Sequence, residues 1–175
     1  DIVSLKKWPR GKPVTWILGN GLLVYALVWL SLQSDRITLP VWSTWLGWSL
    51  FLISFSLLVY ALFVNLPFHK TYVAAGVSDR LITTGLYTLV RHPGVHWFSL
   101  VLLSLVLVSK SSGLLTAVPA FIILDVVLVI IQDKFFFTRM FRGYTRYQQT
   151  TPMLIPNRQS IRAFITSLNS GFETQ

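Results

Sequence analysis

The chain contains no cysteine. Disulfide frameworks, thiolate metal sites and cysteine nucleophiles are therefore excluded, while the redox compartment stays open. Charge is scarce as well. Only 12% of the 175 residues are Asp, Glu, Lys or Arg, against roughly 25% in ordinary globular chains. Acids are the scarcest, 6 against 15 Lys and Arg, and the 3 histidines are too few for a histidine-rich di-iron centre. What fills the chain instead is apolar: 53% of residues are hydrophobic and the mean hydropathy is +0.61. A chain with this balance needs lipid around it, and its length suits one domain.

Val14 to Gln33 runs for 20 residues without a charge, Ile37 to Phe68 for 32, Pro93 to Ser109 for 17, and Ser111 to Gln132 for 22 with Asp125 alone. Runs of this length span a bilayer as helices. None carries the polar stripe that a soluble four-helix bundle requires. The sequence therefore predicts an all-α integral membrane fold, a single domain over 1–175 with four transmembrane helices at about 14–33, 40–64, 93–109 and 112–132. Pro40 is expected early in the second helix, and Lys110-Ser111-Ser112-Gly113 reads as a tight helical hairpin. Lys6, Lys7, Arg10 and Lys12 precede the first run as in a signal peptide. Its apolar stretch exceeds the usual length and no small-x-small cleavage site follows, so a retained helix is expected.

Counted by side, 13 of the 15 Lys and Arg lie before Val14, between Asn65 and Pro93, or after Gln132, and only Arg36 and Lys110 lie in the other two loops. The positive-inside rule then predicts a multi-pass protein with both termini cytoplasmic. Trp8 and Trp16 fall near the inner boundary, and Trp29, Trp42 and Trp45 near the outer one, as interfacial tryptophans do. The net charge of +9 is thus read as topology, and nucleic acid is not an expected partner. A membrane lipid or lipidated acceptor is, and a protein partner is compatible. Beyond Gln132, over about 133–148, Phe136, Phe137, Met140, Phe141, Tyr144 and Tyr147 share one helical face while Arg139, Arg142 and Arg146 cluster opposite. This pattern predicts a cytoplasmic interfacial helix. A second short one, Ile161, Phe164, Ile165 and Leu168 with Ser160 as N-cap, is expected within the C-terminal tail 157–175.

Few residues are equipped for chemistry. Asp125 is a carboxylate within a spanning helix, with Gln132 on the same face. It reads either as a substrate or proton contact or as a structural hydrogen-bonding group. His92 and His96 have metal-ligand spacing, yet with His69 as the third histidine no metal site is expected. In Arg91-His92-Pro93 a basic loop enters a helix, with Pro93 suited to the first turn. Arg91 beside free backbone N–H groups would suit an anion, and it is equally an ordinary positive-inside residue.

Leu81-Ile-Thr-Thr-Gly-Leu-Tyr-Thr-Leu-Val-Arg-His-Pro, a helical hairpin, then Phe141-Arg-Gly-Tyr-Thr-Arg-Tyr and Thr151-Pro-Met-Leu-Ile-Pro156 together resemble the isoprenylcysteine carboxyl methyltransferase superfamily. That superfamily also holds phospholipid N-methyltransferases and, more distantly, NADPH-dependent sterol reductases. The resemblance covers about Leu81 to Pro156. It implies S-adenosylmethionine as cofactor and a lipophilic or membrane-bound acceptor. By the same resemblance Gly85, Tyr87, His92, Pro93, Asp133, Tyr144 and Tyr147 hold the cofactor, Asp133 by binding its ammonium. Arg91 and His92 are implied as the catalytic pair. Leu86, Val95, Trp97 and Lys134 stand where the family has Pro, Tyr, Gly and a second Glu. These departures suit a non-catalytic membrane subunit without cofactor, and Arg139, Arg142 and Arg146 suit an NADPH-dependent reductase, as alternatives.

Overall fold

The computed structural model describes residues 11–66 and 81–172. Trp8, His69 and the basic residues Lys6, Lys7, Arg10, Lys70 and Arg80 lie outside the described residues. In chain order the elements are α1 (Gly11–Gln33), α2 (Trp42–Val59) continuing as a π-helix (Tyr60–Val64), α3 (Leu86–Leu89) and α4 (Pro93–Ser109). Then follow α5 (Ser112–Ile131) continuing through a second π-helix (Gln132–Phe136) into α6 (Phe137–Met140), α7 (Tyr144–Thr150) and α8 (Arg158–Phe172). The fold is all-helical, and among the described residues the β-type contact is one isolated bridge, Arg36 to Ser111.

Among the described residues three helices, Gly11–Gln33, Trp42–Val64 and Ser112–Met140, are long and apolar enough to cross a membrane. Pro93–Ser109 is equally apolar and shorter. The outward surfaces match: Leu22, Trp45, Ile123 and Leu124 are each more than 60% exposed. The first turn of α2 follows Pro40 rather than including it. The Pro40 carbonyl accepts from both the Ser43 N–H (3.1 Å) and its hydroxyl (2.7 Å), so the proline supplies the turn that starts the helix.

α2 and α4 run antiparallel and make the most extensive helix contact among the described residues. Gly47 permits their approach, since a Cβ there would lie 2.9 Å from Leu107 Cβ and Val108 Cγ2. At the hairpin end Lys110 takes the left-handed conformation (φ 54°) and its N–H caps α4 on the Val106 carbonyl. The Ser111 hydroxyl accepts from Leu114 N–H at 3.1 Å as N-cap of α5 and donates to the Leu30 carbonyl of α1 at 2.7 Å. The adjoining loop zips onto this corner, Ile37 N–H on the Lys110 carbonyl and Ser112 N–H on that of Asp35. Beneath it lies the apolar core, Leu102, Val106, Leu114 and Val118, packed by Leu27, Leu30, Phe98 and Phe121. Towards its other end α1 meets the first π-helix, Trp16 edge-on to Phe63 at 6.0 Å.

The segment expected as one amphipathic helix over 133–148 is broken. A π-turn, one α-turn, an extended Phe141 and a left-handed Gly143 (φ 79°) intervene before α7. Glycine tolerates that backbone at no steric cost, and it restarts the helix in a new direction. The side assignment survives the break: the rings of Phe137, Phe141, Tyr144 and Tyr147 remain together while Arg139, Arg142 and Arg146 are exposed. In the tail, Ser160 is not the N-cap of α8. Asn157 Oδ1 accepts from Ser160 N–H at 2.8 Å and Ser160 Oγ accepts from Asn157 N–H at 3.1 Å, a capping box with Asn157 as the cap.

Candidate functional site

The polar centre of the molecule forms at the end opposite the hairpin, from segments far apart in sequence. Gly85 enters it with φ 61° and ψ −135°, and the Asn65 side-chain amide occupies the space a Cβ would need, Nδ2 lying 2.8 Å from that position. The single turn α3 follows. Tyr87 in it donates to the Ala61 carbonyl (3.2 Å) in the first π-helix. Pro93 takes the first position of α4 with His92 immediately before it. The backbone of this entry is paired rather than open: Arg91 N–H donates to the Pro152 carbonyl (2.9 Å) and His92 N–H to that of Met153 (3.2 Å). The two sequence blocks thus meet through main chain before any side chain is considered.

Arg91 and Asp133 then lock them. Nε and Nη2 of Arg91 each lie 2.9 Å from one Asp133 oxygen, a bidentate pair. Nη1 donates to the carbonyls of Gln148 (3.0 Å) and Thr151 (2.5 Å). Asp133 also accepts from Tyr144 Oη (2.6 Å), Gln148 Nε2 (2.9 Å) and, more loosely, His92 Nε2 (3.3 Å). Side-chain exposure of the ion pair is 9% and 6%. Both π-helices serve the site in one way: a carbonyl of each, Ala61 and Asp133, accepts from a side chain, Tyr87 and Gln148 respectively. A π-turn puts carbonyls out of the regular ladder, so they need such donors.

Burial, and then the adjacent Asp133 carboxylate, hold the Tyr144 phenol well above its usual range, so it remains a donor. Burial does the same for Tyr147, whose hydroxyl donates to the Tyr87 carbonyl. Burial pushes His92 below the ordinary imidazole value, with Arg91 acting in the same direction and the Asp133 contact opposing both. The His92 ring stacks on Phe137 at 5.7 Å and 16°, and Phe137 in turn meets Phe141 and Tyr144 edge-on, each at 5.5 Å. Beside this centre opens a cleft of about 400 Å³, walled by Thr88, Gly143, Tyr147, Thr151 and Ala163 among others.

Of the residues singled out from sequence, Gly85, Tyr87, Arg91, His92, Pro93, Asp133, Tyr144 and Tyr147 come together here. Asp133 differs from its implied task. Both its oxygens are engaged inside the protein, so it organises the site rather than waiting for an ammonium. Arg91 likewise is no open anion site, four of its five N–H groups being directed at protein acceptors. Asp125 stands apart, eight residues or about 12 Å along the helix from Asp133. It shares the face of the buried Val118 and Val129, and among the described residues it has no hydrogen-bond or ion-pair partner. Gln132 opens the second π-helix, and its carbonyl accepts from Phe137 N–H. Trp97 is half-buried with its Nε1 buried and unpartnered, as is Asn65 Nδ2. No group of three metal-ligating side chains exists among the described residues. Gln148 and Asn65 were not evident from sequence. The first was recoverable from its spacing of four from Tyr144, whereas nothing local marked the second. No family model matches the chain, and neither curated proteins nor solved structures give a match.

Proposed function

We propose that the protein is a four-crossing membrane protein with both termini cytoplasmic, which transfers a methyl group from S-adenosylmethionine to a lipophilic or membrane-bound acceptor. The fourth crossing is α4, whose 17 residues lie at the short end of spanning helices and pair antiparallel with α2. The asymmetry of 13 Lys and Arg against 2 supports the orientation. On it, exposed Arg139, Arg142 and Arg146, and the exposed Ile161, Ile165 and Leu168 of α8, lie at the inner leaflet. The resemblance to the isoprenylcysteine carboxyl methyltransferase superfamily supplies the reaction.

One observation carries this reading: Asp133 receives Arg91 and His92 of the first block and Tyr144 of the later one, so both blocks form one buried centre. The surroundings suit the cofactor. Its sulfonium supplies an electrophilic methyl, and clustered aromatic faces favour such a cation. The neighbouring cleft of about 400 Å³ falls within the size of small-molecule sites and is lined by Tyr147, with His92, Tyr87 and Tyr144 outside its wall. Tyr87, Tyr144, Tyr147 and His92 would hold the cofactor, with Gly85 and Pro93 shaping the loop, while Asp133 fixes Arg91 and His92. Methyl transfer asks the protein mainly to align two reactants and exclude water.

A second reading has its own observation. The mutual saturation of Arg91 and Asp133 is what a non-catalytic subunit would retain as a structural lock. Calorimetric titration of the purified protein with S-adenosylmethionine, S-adenosylhomocysteine and NADPH separates the cases. Saturable binding of the first two is expected; no binding leaves the subunit, and NADPH alone leaves a reductase. Reporter fusions after Gln175 and in the 34–36 loop should give opposite sides, and agreement would overturn the topology.

A further inference from the structure

We infer that the cleft between α3, α7 and α8 is a binding site for a phosphate group carried on a larger molecule, with Arg146 as its cation. The inference stands on the cleft alone and does not rest on the methyl-transfer reading. Three segments distant in sequence wall it: the chain entering α3 at Thr83, α7 with its flanks Gly143 and Thr151, and the first turns of α8 at Gln159 and Ala163. Arg146 is the charged residue among the described lining, and a guanidinium keeps its charge at any physiological pH. It has no hydrogen-bond or ion-pair partner for its side chain among the described residues. Arg91 is the opposite case, directed at Asp133, Gln148 and Thr151. The N–H fork of Arg146 is therefore open to a ligand.

Four lining hydroxyls already donate within the protein: Thr88 to the Thr83 carbonyl (3.0 Å), Thr150 to that of Tyr147 (3.2 Å), Ser160 to that of Asn157 (3.1 Å) and Tyr147 to that of Tyr87. The hydroxyls of Thr83 and Thr151 and the Gln159 amide have no partner among the described residues. Thr151 carries the most weight. It is only 8% exposed, with its N–H bonded to the Tyr147 carbonyl (2.9 Å) and its own carbonyl held by Arg91 (2.5 Å). A free hydroxyl on so buried and fixed a residue calls for a partner, and the cleft is where one can enter. The acids are elsewhere. Of the three among the described residues, Asp35 lies at the hairpin end, Asp125 within α5, and Asp133 is saturated by Arg91, Tyr144 and Gln148. A cation in the cleft would meet Arg146, whereas an anion meets a guanidinium, two hydroxyls and an amide. A carboxylate is filled by the guanidinium fork alone; a phosphate has further oxygens for the hydroxyls. About 400 Å³ is far more than a phosphate group fills, so the rest of the molecule enters too. Two sources share this chemistry: a lipid headgroup, since the exposed Ile161 and Ile165 of α8 suit a bilayer surface, and a soluble phosphate ester.

The test uses the full chain in maltoside micelles, which carry no phosphate. Glycerol 3-phosphate is titrated by calorimetry and phosphatidylglycerol by native mass spectrometry, each against its phosphate-free counterpart, glycerol or diacylglycerol. Saturable binding of at least one phosphate probe, and of neither counterpart, is expected, and the probe that binds identifies the source. Arg146→Gln should weaken it about 10- to 100-fold, as loss of a charge-assisted hydrogen bond does, and Thr151→Val about 3- to 10-fold. Arg142→Gln, at an equally exposed arginine outside the cleft wall, should leave it unchanged. Ala163→Phe, at an exposed helix position, fills the cleft and should abolish binding, which tests the site even where Thr151→Val does not fold. Binding of neither probe, equal binding of the counterparts, or equal loss in Arg142→Gln and Arg146→Gln overturns the inference. So does binding that survives Ala163→Phe or is unchanged in a folded Thr151→Val. S-adenosylhomocysteine is a separate titration, whose failure would defeat the methyl-transfer reading and leave this inference standing.

Discussion

The two ends of the helix bundle are held by different physics. At the hairpin end the joints are helix caps and backbone bonds: Lys110 caps α4, Ser111 caps α5 and reaches Leu30 across 81 residues, and the loop after α1 adds backbone bonds over an apolar core of Leu102, Val106, Leu114 and Val118. At the other end the joints centre on a buried ion pair, linking Arg91 to Asp133, Gln148 and Thr151 across 42 to 60 residues. Apolar packing between helices gains little where lipid tails are equally apolar, so the hairpin end depends on fit. A buried ion pair behaves otherwise. Its formation is roughly balanced by desolvation, but removal of one partner strands the other charge. The polar end is therefore the more fragile to single substitutions although it is not the more strongly held.

That contrast can be broken most sharply at Asp133. Asp133→Ala leaves Arg91 buried without its counter-ion and should cost about 3–5 kcal/mol, read as a lowered denaturation midpoint in micelles. Arg91→Ala should cost a similar amount. The double variant should lose much less than the sum, because one interaction is removed twice. At the hairpin end Leu102→Ala, at a position fully buried, should cost only about 2 kcal/mol, the low end for such truncations, because lipid competes for the same contacts. A loss there equal to that of Asp133→Ala would erase the distinction.

Two smaller substitutions compare single hydrogen bonds. Ser111→Ala removes the α5 cap and the bond to the Leu30 carbonyl together, and about 1–2 kcal/mol is expected. Tyr147→Phe removes one donor to the Tyr87 carbonyl, and about 1 kcal/mol is expected. The smallest effect is a pH dependence confined to the polar end. His92 has its folded value below the unfolded one of 6.5, so below about 6.5 the unfolded chain takes up a proton that the folded chain resists. Stability should fall as pH drops through that window and be unaffected above it. His92→Gln should flatten the profile, and an unchanged slope would remove His92 as the cause.

Local features were legible and long-range ones were not. The start of α4 at Pro93 and the Lys110 to Gly113 hairpin stand where proline and glycine chemistry puts them, because both depend on residues within a few positions. Pro40 and Ser160 were each displaced by a neighbour, the turn before α2 and the Asn157 cap, which is the ordinary uncertainty of helix ends. The helical wheel beyond Gln132 sorted aromatic from basic side chains correctly, yet it assumed a continuous helix. A π-turn and the left-handed Gly143 change direction without altering which side chains are apolar.

The sequence by itself determined that this is an apolar, helical chain with at least three helices suited to a membrane. Hydropathy and periodicity act locally, and each run states its own preference. Only the tertiary structure decided what Asp133 does. From the chain alone it is one acid beside a lysine, available to any cation. Folded, it accepts from Arg91, Tyr144, Gln148 and His92 at once. A carboxylate's role depends on which donors arrive around it, and all four are brought by backbone that bends at a glycine or enters from a loop about forty residues away.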